Sequence, residues 1–372
     1  MRVPFVDLSA QYQAHRAEFD AALAAVIQSN AFIGGEPVRE FERRFAEAYG
    51  VRHCVACGNG TDAIYIVLRM LGIGAGDEVI TTAASWISTS ETISQAGATP
   101  VFVDVDDHYL IDVDELETAI TARTRAVIPV HLYGQAAPME RIAALCTAHG
   151  LRLIEDCAQA HFAEWGGQHV GTFGDAGTFS FYPGKNLGAW GDAGAIVTND
   201  DELARKSRMY ANHGALVKHV HEMEGINSRM DGLQAALLTT KLRFIGSWTA
   251  ARQRVAAQYD RLLAGVGDLE VPIVRRGATH VYHLYVVRTT YRDELKAFLA
   301  ERGIETAIHY PTALPLLPAY KHLGMFPESI PRAAENQRRV LSLPIYPEMS
   351  GDIVEYVAES VRTFYARFNS LA

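Results

Sequence analysis

The chain has 372 residues, 49% of them hydrophobic and 21% charged, with a mean hydropathy near zero; such a chain can bury one large core and a smaller one. A formal net charge of −9, a pI of about 5.9 and the lack of a basic run exclude an ordinary nucleic-acid binder. No stretch reaches the roughly 18 uninterrupted apolar residues of a membrane span, and Met1-Arg2-Val3-Pro4-Phe5 opens no apolar leader, so the expected location is the cytoplasm, away from any membrane.

Residues 11–30 read as an amphipathic helix, with Phe19, Ala22, Leu23 and Val26 at helical spacing. A second helix, 36–49, follows the Phe32-Ile33-Gly34-Gly35 turn. The apolar run from His53 to Cys57 ends in Gly58-Asn59-Gly60 and contains a CxxC. A redox CxxC normally opens a helix and a structural zinc site needs two further ligands, which His131 and Cys157 are not spaced to supply. Cys54 and Cys57 therefore read as buried strand residues, no metal is expected, and four irregular cysteines make no disulfide framework. Apolar runs at 79–82, 100–103, 126–130 and 151–156 then alternate with helical segments at 61–71, 85–96, 113–120 and 138–149. This alternation predicts an α/β fold: a mostly parallel sheet sandwiched by helices. Residues 230–266 form a long proline-free helical stretch leading into 282–288, 293–302, 305–310 and 352–368, which read as a smaller α+β unit. The expected division is 1–245 for the large domain, N-terminal helices included, and 246–372 for the small C-terminal domain.

A strand-like run, 176–182, enters the glycine-rich bend Phe181-Tyr182-Pro183-Gly184-Lys185-Asn186-Leu187-Gly188-Ala189, which presents Lys185 at a strand end. A lysine crowded by glycines and aromatics suits an amine of depressed pKa that attacks a carbonyl, whereas most lysines are solvated surface residues. The run at 151–156 delivers Asp156 at its carboxyl end, where open α/β sheets bind ligands. This is the pair expected of pyridoxal phosphate, lysine for the Schiff base and aspartate for the pyridinium nitrogen, although a strand-end aspartate has many other uses. Gly58-Asn59-Gly60-Thr61 joins a strand to a helix head, where free amides and the helix dipole favour a phosphate. Thr61 reads equally as an N-cap.

Five segments, Gly58-Asn59-Gly60-Thr61-Asp62-Ala63, Ile154-Glu155-Asp156-Cys157-Ala158-Gln159-Ala160-His161, Ser180 to Ala189, Gly225-Ile226-Asn227-Ser228-Arg229-Met230-Asp231 and Ile308-His309-Tyr310-Pro311, resemble in order the signatures of the DegT/DnrJ nucleotide-sugar aminotransferases. The resemblance implies the PLP-transferase fold of the aspartate-aminotransferase type, with pyridoxal 5′-phosphate as cofactor. It implies Gly60, Thr61 and Ser180 at the phosphate, Trp86 against the ring face, Gln159 near the ring hydroxyl, Asp156 at the ring nitrogen and Lys185 as the catalytic amine. By the same resemblance Asn227 crosses a homodimer interface to the partner's phosphate, and Tyr182, Arg229, His309, Tyr310 and Tyr320 contact substrate. The implied reaction is ping-pong transamination, with L-glutamate as amino donor and a nucleotide-linked keto-sugar as acceptor. Because Lys185 is present, the chain does not resemble the family's dehydrating branch, which has histidine there. The bend most resembles enzymes that aminate C3 of a dTDP-3-keto-6-deoxyhexose; C4 amination or a UDP- or GDP-linked sugar is the alternative within the same chemistry, and a non-catalytic regulator that binds PLP or a sugar nucleotide is the alternative outside it. Ala313-Leu314-Pro315, where several relatives carry Pro-Leu-His, departs from the pattern and leaves the sugar contacts open.

Overall fold

The computed structural model describes residues 1–369; the last three residues of the expected C-terminal domain lie outside them. In chain order come α1 (Leu8–Ala14), α2 (Arg16–Ser29), α3 (Gly35–Tyr49), β1 (His53–Cys57), α4 (Gly60–Met70), β2 (Glu78–Thr82), α5 (Ser88–Gln95) and β3 (Thr99–Val103). Then follow α6 (Val113–Thr118), β4 (Thr124–Ile128), α7 (Met139–His149), β5 (Arg152–Asp156), β6 (Ala176–Ser180), β7 (Gly194–Thr198) and α8 (Asp201–Tyr210). The chain closes with α9 (Gly232–Leu242), α10 (Ile245–Leu263), β8 (Tyr285–Arg288), α11 (Arg292–Glu301), α12 (Pro331–Arg339), β9 (Val340–Leu343) and α13 (Gly351–Asn369).

The first seven strands form one sheet in the order β1-β7-β6-β5-β4-β2-β3. β7 runs antiparallel to both neighbours, and the other adjacent pairs are parallel. Every residue of β2 and of β7 is buried, as expected of a sheet covered on both faces. Phe41, Phe45, Leu237 and Leu238 of α3 and α9 cover one face beside Cys54, whereas Ile66, Val67, Ile93 and Leu203 of α4, α5 and α8 cover the other beside Cys57. An odd spacing along a strand sends two side chains to opposite faces, so the CxxC cannot act as a pair. β1, β5 and β6 run the same way, and their carboxyl ends open on one edge.

Two expected helices are broken. His15, at φ −131° and ψ 26°, separates α1 from α2, and its ring stacks at 3.9 Å on Phe244, the residue that separates α9 from α10. Packing one break against the other overrides two otherwise continuous patterns. Ile245 and Trp248 of α10 belong to the core beneath the large sheet, while Val255, Ala256, Tyr259 and Leu263 belong to a second core with β8, β9, α11 and α13. β8 pairs antiparallel with β9. Residues 305–310 do not form the expected strand; Ala307 makes a single bridge to Ser342 of β9. Val3 bridges Ile304, which ties the start of the chain to the second core. Among the described residues no helix is long and apolar enough to cross a membrane.

Candidate active site

The turn from β1 into α4 is held by its own side chains. Asn59 caps the helix: its Oδ1 accepts the Asp62 amide at 2.8 Å and its carbonyl accepts the Ala63 amide at 3.2 Å. Thr61 is therefore not the cap, and its Oγ1 lies 2.7 Å from the Ser88 hydroxyl at the head of α5. Gly60 is required by packing, since a Cβ there would stand 2.6 Å from the Ser180 Cβ at the end of β6. A Cβ on Gly194 would meet the Asn59 carbonyl carbon at 2.3 Å. Ser228 braces the turn from outside, accepting the Gly58 amide at 3.0 Å and donating to Asp62 at 2.6 Å. The result is a helix head flanked by the hydroxyls of Thr61, Ser88 and Ser180, the chemistry that receives a phosphate.

Asp156 ends β5 almost fully buried. Its Oδ2 accepts the Thr89 hydroxyl at 2.8 Å and its Oδ1 accepts the Ala158 amide at 3.1 Å. Thr89 is oriented in turn by Ser85, 2.9 Å away. Gln159, three residues on, is fixed at both ends: its Oε1 accepts the Tyr133 amide at 2.7 Å, and its Nε2 donates to the Tyr310 hydroxyl at 3.0 Å. Tyr133 reaches Gln159 with its backbone in the left-handed region, at φ 61°, and its hydroxyl donates to the His309 carbonyl. His309 itself contacts Ser342 through Nδ1 at 2.8 Å and stacks on Phe5. Burial first, and the Lys185 charge second, lower His309 to about 4.

Lys185 sits in a tight turn closed by its amide on the Tyr182 carbonyl at 2.8 Å. The bend continues with the Ala189 amide on the Phe181 carbonyl, and the Asn186 side chain donates to the Val281 carbonyl at 2.9 Å. Burial lowers the Lys185 amine to about 8, while the Asp156 carboxylate pulls it the other way. Its positive charge acts in turn on His161, His283 and His309. The lysine, in the bend that follows β6, and the aspartate that ends β5 are thus electrostatically coupled near the carboxyl edge of the sheet.

The other expected residues divide by position. Trp86 precedes α5 rather than opening it; it is 57% exposed, and its ring stands 5.8 Å from that of Tyr310, a flat lid for something not buried. Tyr182 is exposed beside the Lys185 bend. Asn227 and Arg229, which flank the buried Ser228 in the chain, are exposed. Asn227 does not cap α9, whose N-cap position is Asp231. Tyr320 is placed elsewhere: it is buried beneath α5, packed on Phe102, with its hydroxyl donating to Ser90 at 2.7 Å. Reading the sequence missed Ser88, Thr89 and Tyr133. The hydroxyl-rich run Ser85-Trp86-Ile87-Ser88-Thr89-Ser90 was the signal for the first two, whereas a backbone amide contributed by Tyr133 leaves none. It also missed that ligand atoms of His131, Glu155 and Cys157 lie within 4.8 Å of one another. Glu155 is committed to the fold, for its carboxylate accepts the amides of Gly171, Phe173 and Gly174.

An amine of lowered basicity opposite a buried carboxylate, at the sheet edge where a hydroxyl-lined helix head also opens, is the arrangement of a transaminase that works through pyridoxal 5′-phosphate. The residues present are chemically suited to that group: a hydroxyl-lined helix head could receive a phosphate, Trp86 offers a flat ring, Asp156 a buried carboxylate and Lys185 an amine. The chain belongs to the DegT/DnrJ/EryC1/StrS aminotransferase family, whose model matches residues 13–362. It is 47% identical over 371 residues to a "Pleiotropic regulatory protein" of Geobacillus stearothermophilus, covering 99% of this chain and 100% of that one. It is 44% identical over 367 residues to the dTDP-3-amino-3,4,6-trideoxy-alpha-D-glucose transaminase of Streptomyces venezuelae, covering 98% and 97%. The crystal structure of S. venezuelae DesV in complex with a ketimine intermediate superposes with a TM-score of 0.96 at 44% identity over 98% of each chain.

Proposed function

We propose that the protein aminates C3 of a dTDP-linked 3-keto-6-deoxyhexose, taking the amine from L-glutamate, within a homodimer whose sites are shared. The observation that carries the chemistry is the placing of Lys185, in the bend after β6, within electrostatic reach of the buried Asp156 carboxylate that ends β5. The preference for C3 and for dTDP rests on the likeness to the Streptomyces transaminase named above.

Pyridoxal phosphate, when bound, supplies an electron sink for the bond between Cα and its hydrogen in the amino donor. The chain supplies the rest. Asp156 holds a proton at the ring nitrogen, and the Thr89 and Ala158 donors hold the carboxylate in place. Lys185, once released by the amino donor, takes the Cα proton on Nζ and returns it on the other side of the transfer; a substantial neutral fraction near pH 8 suits that task. Gln159, gripped by Tyr133 and Tyr310, fixes the wall on which the ring would rest. Trp86 and Tyr310 exclude water from the exposed face.

For the dimer, support comes from the surface around Asn227. Phe32, Ile33, Leu216, Val217 and Val220 are large apolar residues left exposed there, and a cavity of about 300 Å³ opens between Ile33, Leu216, Arg229 and Met230. A second copy seated on this face by a two-fold axis would cover both apolar patches and bring each Asn227 to the other chain's site.

The test is to convert the enzyme to its amino form with L-glutamate and add a panel of keto-sugar nucleotides. Return of the aldehyde-form absorbance with 3-keto dTDP sugars, and an amine located on C3 by NMR, is the expected result. Return only with 4-keto sugars, or only with UDP or GDP sugars, assigns the alternative substrates. No response to any amino donor assigns a regulator.

A further inference from the structure

Among the buried charged residues that this chemistry does not use, one lies against the Lys185 bend. Lys241 of α9 is 1% exposed, and its Nζ donates at 2.7 Å to the carbonyl of Gly188, three residues beyond Lys185. The rings of Phe19 and Trp190 flank the ammonium at 5.6 and 5.7 Å. Two turns earlier on the same helix face, Gln234 accepts the Trp190 amide at 2.8 Å. Burying an amine is costly, and a helix lysine is ordinarily solvated. Here the cost is offset by holding a buried carbonyl that would otherwise lack a partner. Gly188 packs closely inside the bend, since a Cβ there would stand 2.3 Å from the Pro183 oxygen.

We infer that the inner face of α9, through Lys241 and Gln234, positions the Lys185 bend, so that Lys241 is a positioning residue for the reacting amine. The inference rests on the reading of Lys185 given above. The bend is fixed on one side by Asn186 on Val281 and on the other by these two side chains; releasing the second side lets Lys185 Nζ wander while leaving the phosphate cup, built from α4 and β6, intact. The predicted deficit is therefore in covalent capture of the cofactor rather than in holding it.

The experiment mixes the full-length cofactor-free chain with pyridoxal phosphate, quenches with borohydride at set times and quantifies the lysine peptide carrying the cofactor by mass spectrometry. Lys241→Met, which keeps the volume and removes the donor, is expected to slow fixation at Lys185 by about tenfold, roughly 1.4 kcal/mol, while non-covalent retention on gel filtration stays within about threefold. Lys241→Arg, which keeps a donor, is expected to restore the rate to within about threefold. A wild-type fixation rate in Lys241→Met overturns the inference. Should that variant fail to fold, Gln234→Leu carries the test: fixation slowed several-fold supports it, and a wild-type rate overturns it. Fixation of the wild-type chain on a different lysine overturns the Lys185 reading and this inference with it, a result distinct from the others.

Discussion

Gly60 and Ser180 approach so closely that a Cβ on the glycine would lie 2.6 Å from the serine Cβ and 3.0 Å from its Cα. This contact seats the head of α4 against the end of β6 and shapes the proposed phosphate cup. Gly60→Ala is expected to push the two apart, lowering stability by about 1–3 kcal/mol and weakening cofactor binding. Ser180→Gly added to it should recover part of the stability, because the nearest clash is then gone. Chemical denaturation of wild type and the two variants checks this; a Gly60→Ala protein as stable as wild type contradicts the close approach.

Asp156→Asn keeps the shape of the site and removes its charge. The half-reaction with L-glutamate, followed in a single turnover, is expected to slow by at least about tenfold, the equivalent of about 1.4 kcal/mol. A rate within about threefold of wild type would place another group at the ring nitrogen.

The Lys185 amine is lowered to about 8 chiefly by burial, and the Asp156 carboxylate opposes the shift. Only the neutral amine acylates, so in the cofactor-free protein labelling of Lys185 should rise with pH to a midpoint near 8, well below an ordinary lysine. Removing the carboxylate in Asp156→Asn takes away the opposing influence and should move the midpoint lower still. The same depression makes the folded chain bind fewer protons than the unfolded one between about pH 8 and 10.5, so this lysine's penalty on folding is relieved as pH rises through that window. Peptide mass spectrometry of acylated samples across pH gives the midpoint; one near 10.5 contradicts a buried amine.

Much of this was legible in the sequence because the informative features are local. A strand that ends in Asp156, a glycine bend around Lys185 and a helix head at Gly60 each declare themselves within ten residues, and the alternation of runs fixes the sheet that aligns them. What was not legible depends on distant packing. The breaks at His15 and Phe244 exist because the two rings stack on each other, 229 residues apart in the chain. β9 was missed because Val340–Leu343 follows α12 directly and takes its partner strand, β8, from far earlier in the chain. Tyr320 reads as a loop aromatic near the sugar, yet its ring fills the space beneath α5. Lys241 looks like any helix lysine; its spacing of three and four from the buried Leu238 and Leu237 was the one trace of its burial.

The proposed sharing of sites between two chains predicts complementation. In a mixed dimer of Lys185→Ala with Asn227→Ala both defects fall in one site and the other is intact, so mixing should raise activity above the mean of the parents. Subunit exchange is followed independently by mass spectrometry of differently tagged chains, and Asn227→Ala alone must be clearly impaired. Exchange without any gain would mean that Asn227 serves its own chain.

In the proposed reaction Lys185 Nζ carries the proton between the two sides of the transfer. Lys185→Ala leaves the cup and Asp156 in place, so the variant should retain pyridoxal phosphate non-covalently, and its half-reaction with L-glutamate should fall by more than about a hundredfold, the lower range of what a positioned acid–base group contributes. A cofactor-loaded Lys185→Ala protein that transaminates at a rate comparable with wild type would rule out Lys185 as the proton carrier.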